Sequence, residues 1–153
     1  MNADAELAAL YTRKLRDLAA MVRADGRIVA ADVSVTRTSS VCGSSVTLDV
    51  RREAGMITAL GWRTRACTLG MASTALVVTH APGRSFTQMA EVGTMLGRLL
   101  AGEDIAFPVP WNDLALFSVA RSLKPRHAAI LLPFQALAEA ADRVLDRNGN
   151  RFA

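Results

Sequence analysis

Two stretches of alternating residues, Ser45–Arg52 and Met56–Ala66, stand with only Glu53-Ala54-Gly55 between them, and no other feature of the chain limits its fold as strongly. In the first stretch Val46, Leu48 and Val50 share one side of an extended strand, and Thr47, Asp49 and Arg51 share the other, because successive strand side chains point to opposite faces. The short connector favours an antiparallel hairpin and offers a glycine for positive φ. A third extended segment, Asp32–Thr38, precedes the pair. A sheet of this kind keeps one face wet and must have the other covered, so the rest of the chain has to supply the cover.

Helical spacing accounts for most of that remainder. From Asp4 to Ala24 the apolar positions Leu7, Leu10, Leu15, Leu18, Met21 and Val22 recur near the helical period, with Gly26 as a stop. The small apolar run after Cys67 predicts a helix ending near His80, ahead of Pro82-Gly83, with His80 as a C-terminal cap. Ser85-Phe86-Thr87-Gln88 has the form of a capping box, and Phe86, Met89, Val92, Leu96, Leu99 and Leu100 continue from it to Gly102. After the loop Phe107–Trp111, Asn112 reads as an N-cap for a short helix carrying Leu114, Phe117, Val119 and Leu123. A last helical region spans Arg126–Arg147, kinked or restarted at Pro133. The order predicts an α+β fold: a small three-stranded antiparallel sheet covered by helices, with residues 1–147 as one domain and 148–153 as a flexible tail.

A chain of 153 residues buries enough core to stand without disulfides or metals. The opening residues have neither the basic nor the apolar part of a secretion signal, and no uncharged apolar run approaches a membrane-spanning length. The expectation is therefore a cytoplasmic protein with no membrane partner, in which Cys42 and Cys67 stay reduced. The net charge of +4 raises the question of nucleic acid, but the basic residues are scattered and aromatics are 5% of the chain. Base stacking needs aromatic side chains between the basic ones, so no nucleic-acid partner is expected.

Chemistry is left to the two cysteines. Cys42 lies in a turn ahead of a strand, and Cys67 lies where a strand hands over to a helix; both ends can meet at one edge of a sheet. Metal binding, sulfur chemistry, a reversible disulfide and plain burial all remain open, the disulfide requiring Cα atoms within about 7 Å. A helix N-terminus favours thiolate over thiol, which makes Cys67 the stronger candidate for reactivity. No phosphate loop, paired-histidine zinc motif or nucleophile elbow is present. Arg51, Arg52, Arg63 and Arg65 read as solvated positions on the sheet that discourage aggregation, or as a docking surface.

From about Leu10 to Ala140 the order and spacing resemble the NifU-like (IscU or SufU type) iron-sulfur cluster assembly scaffolds. Cys42-Gly43 is similar to that family's Cys-Gly-Asp turn, and Ala66-Cys67-Thr68-Leu69-Gly70-Met71-Ala72-Ser73 to its second cysteine motif. Gly83-Arg84-Ser85 resembles the turn before its next helix, and Arg126–Phe134 the region of its third cysteine. By this resemblance the candidate metal ligands are Cys42 and Cys67, with His127, one residue short of the family's ligand region, as a third candidate. The family's aspartate is replaced by Ser44 and its third cysteine by Ala129. The implied function is transient holding of iron, an iron-sulfur cluster or persulfide sulfur, with zinc as a further metal that such thiols can bind. A cysteine desulfurase and cluster acceptor proteins are the implied partners, and a homodimer would bring four thiolates to one cluster. The alternative is a divergent, non-metal-binding relative that keeps the fold and binds or regulates a partner. Neither reading makes it an enzyme.

Overall fold

The hairpin forms where the alternation puts it. In the computed structural model, which describes residues 3–148, β1 (Val33–Thr38), β2 (Ser45–Glu53) and β3 (Met56–Arg65) make one antiparallel sheet in the order β1-β2-β3. Leu48 pairs with Val35 and Trp62, and Val50 with Val33 and Leu60. Val35, Leu48 and Val50 are wholly buried, as the covered face requires. In the β2–β3 turn Ala54 takes the positive φ, 51°. Gly55 is buried beside it, its carbonyl accepting Phe86 N–H at 3.1 Å.

The cover comes from α1 (Ala3–Ala20), α2 (Thr68–His80), α3 (Phe86–Leu100), a 3-10 helix (Trp111–Ala120) and α4 (Lys124–Asn148). Helix α4 lies against β1 and β2 and helix α2 against β3, while α1, α3 and the 3-10 helix pack on these two. Ala72 to Val77 are all buried, which is why α2 shows no amphipathic stripe: a helix packed on every side is apolar on every side. Helix α1 ends at Ala20 rather than near Gly26, its chain tightened by bonds from Met21 and Val22 N–H to carbonyls three residues back. Leu15, Ala19 and Val22 reach the core, while Leu7, Leu10 and Met21 stay exposed.

Gly26 has a different task from stopping a helix. It exchanges both backbone bonds with Trp62, at 2.9 and 3.0 Å, and a Cβ there would lie 2.3 Å from the indole. This close approach carries the following residues over the open face of the sheet, so Asp49 is 1% exposed rather than wet. Gly61, paired with Asp49, leaves room for the crossing, since a Cβ there would stand 2.7 Å from Ile28 N.

The capping box of α3 forms in both directions, Gln88 N–H to Ser85 Oγ at 3.0 Å and Ser85 N–H to Gln88 Oε1 at 2.8 Å. The next helix is of the tighter 3-10 kind and is preceded by Pro110, so Asn112 lies inside it and does not cap. Helix α4 runs on through Pro133 instead of restarting. Proline has no N–H, so the Ala129 carbonyl gets no bond from the residue four positions on. His80, the last residue of α2, stacks edge-on against Trp111 at 5.6 Å. Residues 149–153, most of the expected tail, lie outside the described residues, and Asn148 belongs to α4.

Candidate functional site

The β1–β2 connection is a tight turn with a thiol at its tip. Ser39 N–H donates to Ser44 C=O at 2.8 Å, and Gly43 N–H to Ser39 C=O at 2.9 Å. Gly43 makes the second bond possible by taking φ 73°, a conformation open to glycine at little cost. Ser39 and Ser44 are buried beneath the turn, and Cys42 is exposed. Ser45, the first residue of β2, pairs with Arg65, the last of β3. Ala66 and Cys67 follow Arg65 directly, so the register brings both cysteine segments to one end of the sheet.

The two thiols sit in different settings. Cys42 Sγ lies 3.2 Å from Ser44 Oγ, to which the neutral thiol donates. Once the thiol ionises the hydroxyl donates instead, and this bond is the main reason the Cys42 pKa lies below its usual value. Ser44 N–H and the Ser39 hydroxyl add to the lowering, the charge of Arg126 adds a little more, and burial opposes it weakly. Cys67 is the N-cap residue of α2, with extended backbone and no side-chain capping bond, and is half-buried. Its helix terminus makes Cys67 the more reactive thiol on sequence grounds. The structure supplies Cys42 with hydroxyl and backbone donors as well. Ser39 is the residue that sequence reasoning misses; its signal is a serine at the start of a turn carrying a thiol.

The other expected positions hold no ligand toward these thiols. Ala129 is 1% exposed, packed where α2 and α4 meet at Gly70; a Cβ on Gly70 would come within 3.2 Å of both Ala129 Cβ and Ala129 C=O. Ser73 Oγ donates to Ile130 C=O at 2.5 Å across the same seam. His127 is half-buried, its Nε2 2.8 Å from the Ala120 carbonyl at the end of the 3-10 helix. Among the described residues no three His, Cys, Asp or Glu side chains gather as a metal site. A tetrahedral zinc or a 2Fe-2S cluster takes four ligands, and the residues present in one chain do not provide them.

No family model matches the sequence, and no curated protein matches it. Solved structures do. The N-terminal part of a nitrogen-fixing NifU-like protein from Brucella abortus superposes with a TM-score of 0.83 and 26% identity, over 90% of this chain and 95% of that one. The chain is similar to NifU/SufU-like proteins and diverges from them in sequence. A putative iron-sulfur cluster assembly scaffold protein for the SUF system from Fervidobacterium islandicum shares the fold at a TM-score of 0.72 and 19% identity, over 86% of this chain and 96% of that one. Within this fold the chain places Cys42 in the β1–β2 turn and Cys67 at the N-cap of α2, and packs Ala129 into the α2–α4 seam. None of its described helices is long and apolar enough to cross a membrane.

Proposed function

We propose that this NifU/SufU-like chain serves iron-sulfur cluster assembly in the cytoplasm as a carrier, not an enzyme. It holds persulfide sulfur, iron or a cluster in passing on Cys42 and Cys67, takes sulfur from a cysteine desulfurase and delivers to acceptor proteins. The observation that carries this reading is the exposed Cys42 thiol, its ionised form favoured by Ser44 and Ser39, in a fold shared with such scaffolds. In the sulfur step the Cys42 thiolate attacks the outer sulfur of a donor persulfide. A new S–S bond forms on Cys42, the donor's S–S bond breaks, and the donor cysteine leaves as a thiolate.

Cargo that needs four ligands has to find two of them elsewhere. A homodimer supplies two more thiolates, and His127 has Nδ1 to offer while its Nε2–H donates to the Ala120 carbonyl. The buried methyl of Ala129 favours a second reading, a non-metal-binding relative that kept the partner surface and the fold. Iron, zinc and acid-labile sulfide, measured with the visible spectrum after anaerobic reconstitution, separate the two. About one cluster per dimer, lost in Cys42→Ala/Cys67→Ala, supports the cluster carrier; neither metal nor sulfide in the wild type leaves the second reading standing. On either reading a wild-type monomer surrenders zinc to a weak chelator that a four-ligand site resists, and stoichiometric zinc retained against it would refute the two-ligand site.

A further inference from the structure

On the open face of the sheet, next to the thiol end, lies a groove of about 280 Å³ lined by Thr36, Ser45, Thr47, Arg63 and Arg65. The lining is made by the register: Thr36, Thr47 and Arg63 form one cross-strand row, and Ser45 and Arg65 the adjacent one. No apolar side chain contributes to it. Thr36 and Thr47 are hydrogen-bonded to each other at 2.7 Å, which fixes the floor. The two arginines are half exposed, at 52% and 55%. Guanidinium forks and hydroxyls select oxygen anions, and carboxylates are the protein groups that fit a fork.

The molecule already shows that fit. Asp25, from the segment that crosses the sheet, places its carboxylate 3.1 Å from Arg65 and 3.8 Å from Arg63. It meets one guanidinium closely and the other loosely. The two arginines sit two residues apart on one face, roughly 7 Å along the strand, and the single carboxylate of Asp25 leaves the Arg63 contact long. A segment carrying several carboxylates satisfies both. The groove is also placed for delivery, since Arg65 stands two residues before Cys67 and Ser45 three after Cys42.

We propose that this groove docks an acidic segment of the protein that exchanges sulfur with Cys42, the partner's carboxylates displacing Asp25 from Arg63 and Arg65. The assignment of that partner rests on the carrier reading above. Charge complementarity here sets capture and orientation over the thiol more than raw affinity.

The test is fluorescence anisotropy of a fluorescein-labelled Glu-Ser repeat dodecapeptide against the full chain in low salt, where surface charge is least screened. Arg63→Glu/Arg65→Glu is expected to weaken binding at least about tenfold and Asp25→Asn to strengthen it about twofold. Arg13→Glu/Arg16→Glu on α1, the same change in net charge, is expected to leave it within about twofold. Equal weakening by the α1 variant, or no change in either groove variant, overturns the proposal. Binding of the peptide no tighter than that of inorganic phosphate overturns it too. Persulfide arriving on Cys42 from a cysteine desulfurase, read by alkylation and gel shift, separates this proposal from the reading it rests on. Peptide binding through the groove without any sulfur on wild-type Cys42 sinks the carrier and leaves an acidic-segment site. Sulfur reaching Arg63→Glu/Arg65→Glu at the wild-type rate sinks the docking.

Discussion

Asp49 and Cys42, seven residues apart around the start of β2, are two groups whose ionised forms are held by donated hydrogen bonds, to opposite effect. Asp49 accepts a fork from Arg27, at 2.7 and 2.9 Å, together with Ser34 Oγ at 2.7 Å and Ile28 N–H at 3.1 Å. The Arg27 bonds do most to hold its pKa at about 2, against the cost of burial. Cys42 has hydroxyl donors in place of a guanidinium and faces solvent. A buried anion with every lone pair occupied can only hold the structure together, whereas an exposed one with weaker donors can exchange them for a substrate. Burial, more than the number of donors, separates the structural group from the reactive one.

Removing the buried partner gives the largest expected effect. Asp49→Ala strands Arg27, Ser34 Oγ and Ile28 N–H and is expected to cost about 3 kcal/mol in urea unfolding. The pH dependence has a definite sign. The folded pKa, about 2, lies below the ordinary 3.8, so the stabilisation is complete above about pH 5 and is lost as pH falls through the folded pKa, a change of about 2 kcal/mol. Asp49→Asn has no such proton to bind, so its stability should stay flatter between about pH 5 and pH 2. An acid limb in the Asp49→Asn variant as steep as in the wild type would detach Asp49 from the acid sensitivity of the fold.

Legibility followed the same divide. The hairpin, the covered face and the capping box of α3 could be read because each depends on neighbours in sequence: alternation, a three-residue connector, a serine three before a glutamine. The burial of Asp49 could not, because the alternation places it with Thr47 and Arg51 on the wet face. What covers it is a segment more than twenty residues upstream, admitted by two glycines, Gly26 and Gly61. The positions of Cys42 and Cys67 at one end of the sheet were readable from order alone. The donors to Cys42 were not, since they depend on how the 39–44 turn closes. For the same reason the bond that engages His127 was hidden: it reaches back to the 3-10 helix across the break at Leu123.

Close packing backs the thiol end as it covers Asp49, and Gly70→Ala tests it. In an exposed helix the change would gain about 1 kcal/mol. Here the new Cβ lies 3.0 Å from Ala66 Cβ and 3.2 Å from the Ala129 methyl and carbonyl. The methyls and carbonyl belong to packed backbone that cannot swing away, so overpacking of about 1–3 kcal/mol outweighs the gain. A net loss of about 1 kcal/mol, seen as a lower Tm, is expected; a rise in Tm would show that α2 and α4 can part freely behind the two cysteines.

The smallest effect on stability and the most direct on chemistry belongs to Ser44. Ser44→Ala removes the largest contribution to the low Cys42 pKa, so the profile of iodoacetamide alkylation at Cys42 should move to higher pH. The rate at neutral pH should fall about threefold or more, with stability changed by less than about 1 kcal/mol and Cys67 alkylation unaffected. Ser44→Asp, which restores the carboxylate of the resembling family's turn, should slow Cys42 further, because a second negative charge beside the thiol disfavours the thiolate. The same variant should hold zinc more tightly than the wild type, having gained a hard oxygen ligand next to Cys42. Opposite movements of alkylation rate and zinc affinity would mean that the residue at 44 sets whether this turn works as a nucleophile or as a metal ligand. Parallel movements would mean that Cys42 owes its ionisation to the rest of the turn and that the loss of the aspartate left its chemistry unchanged.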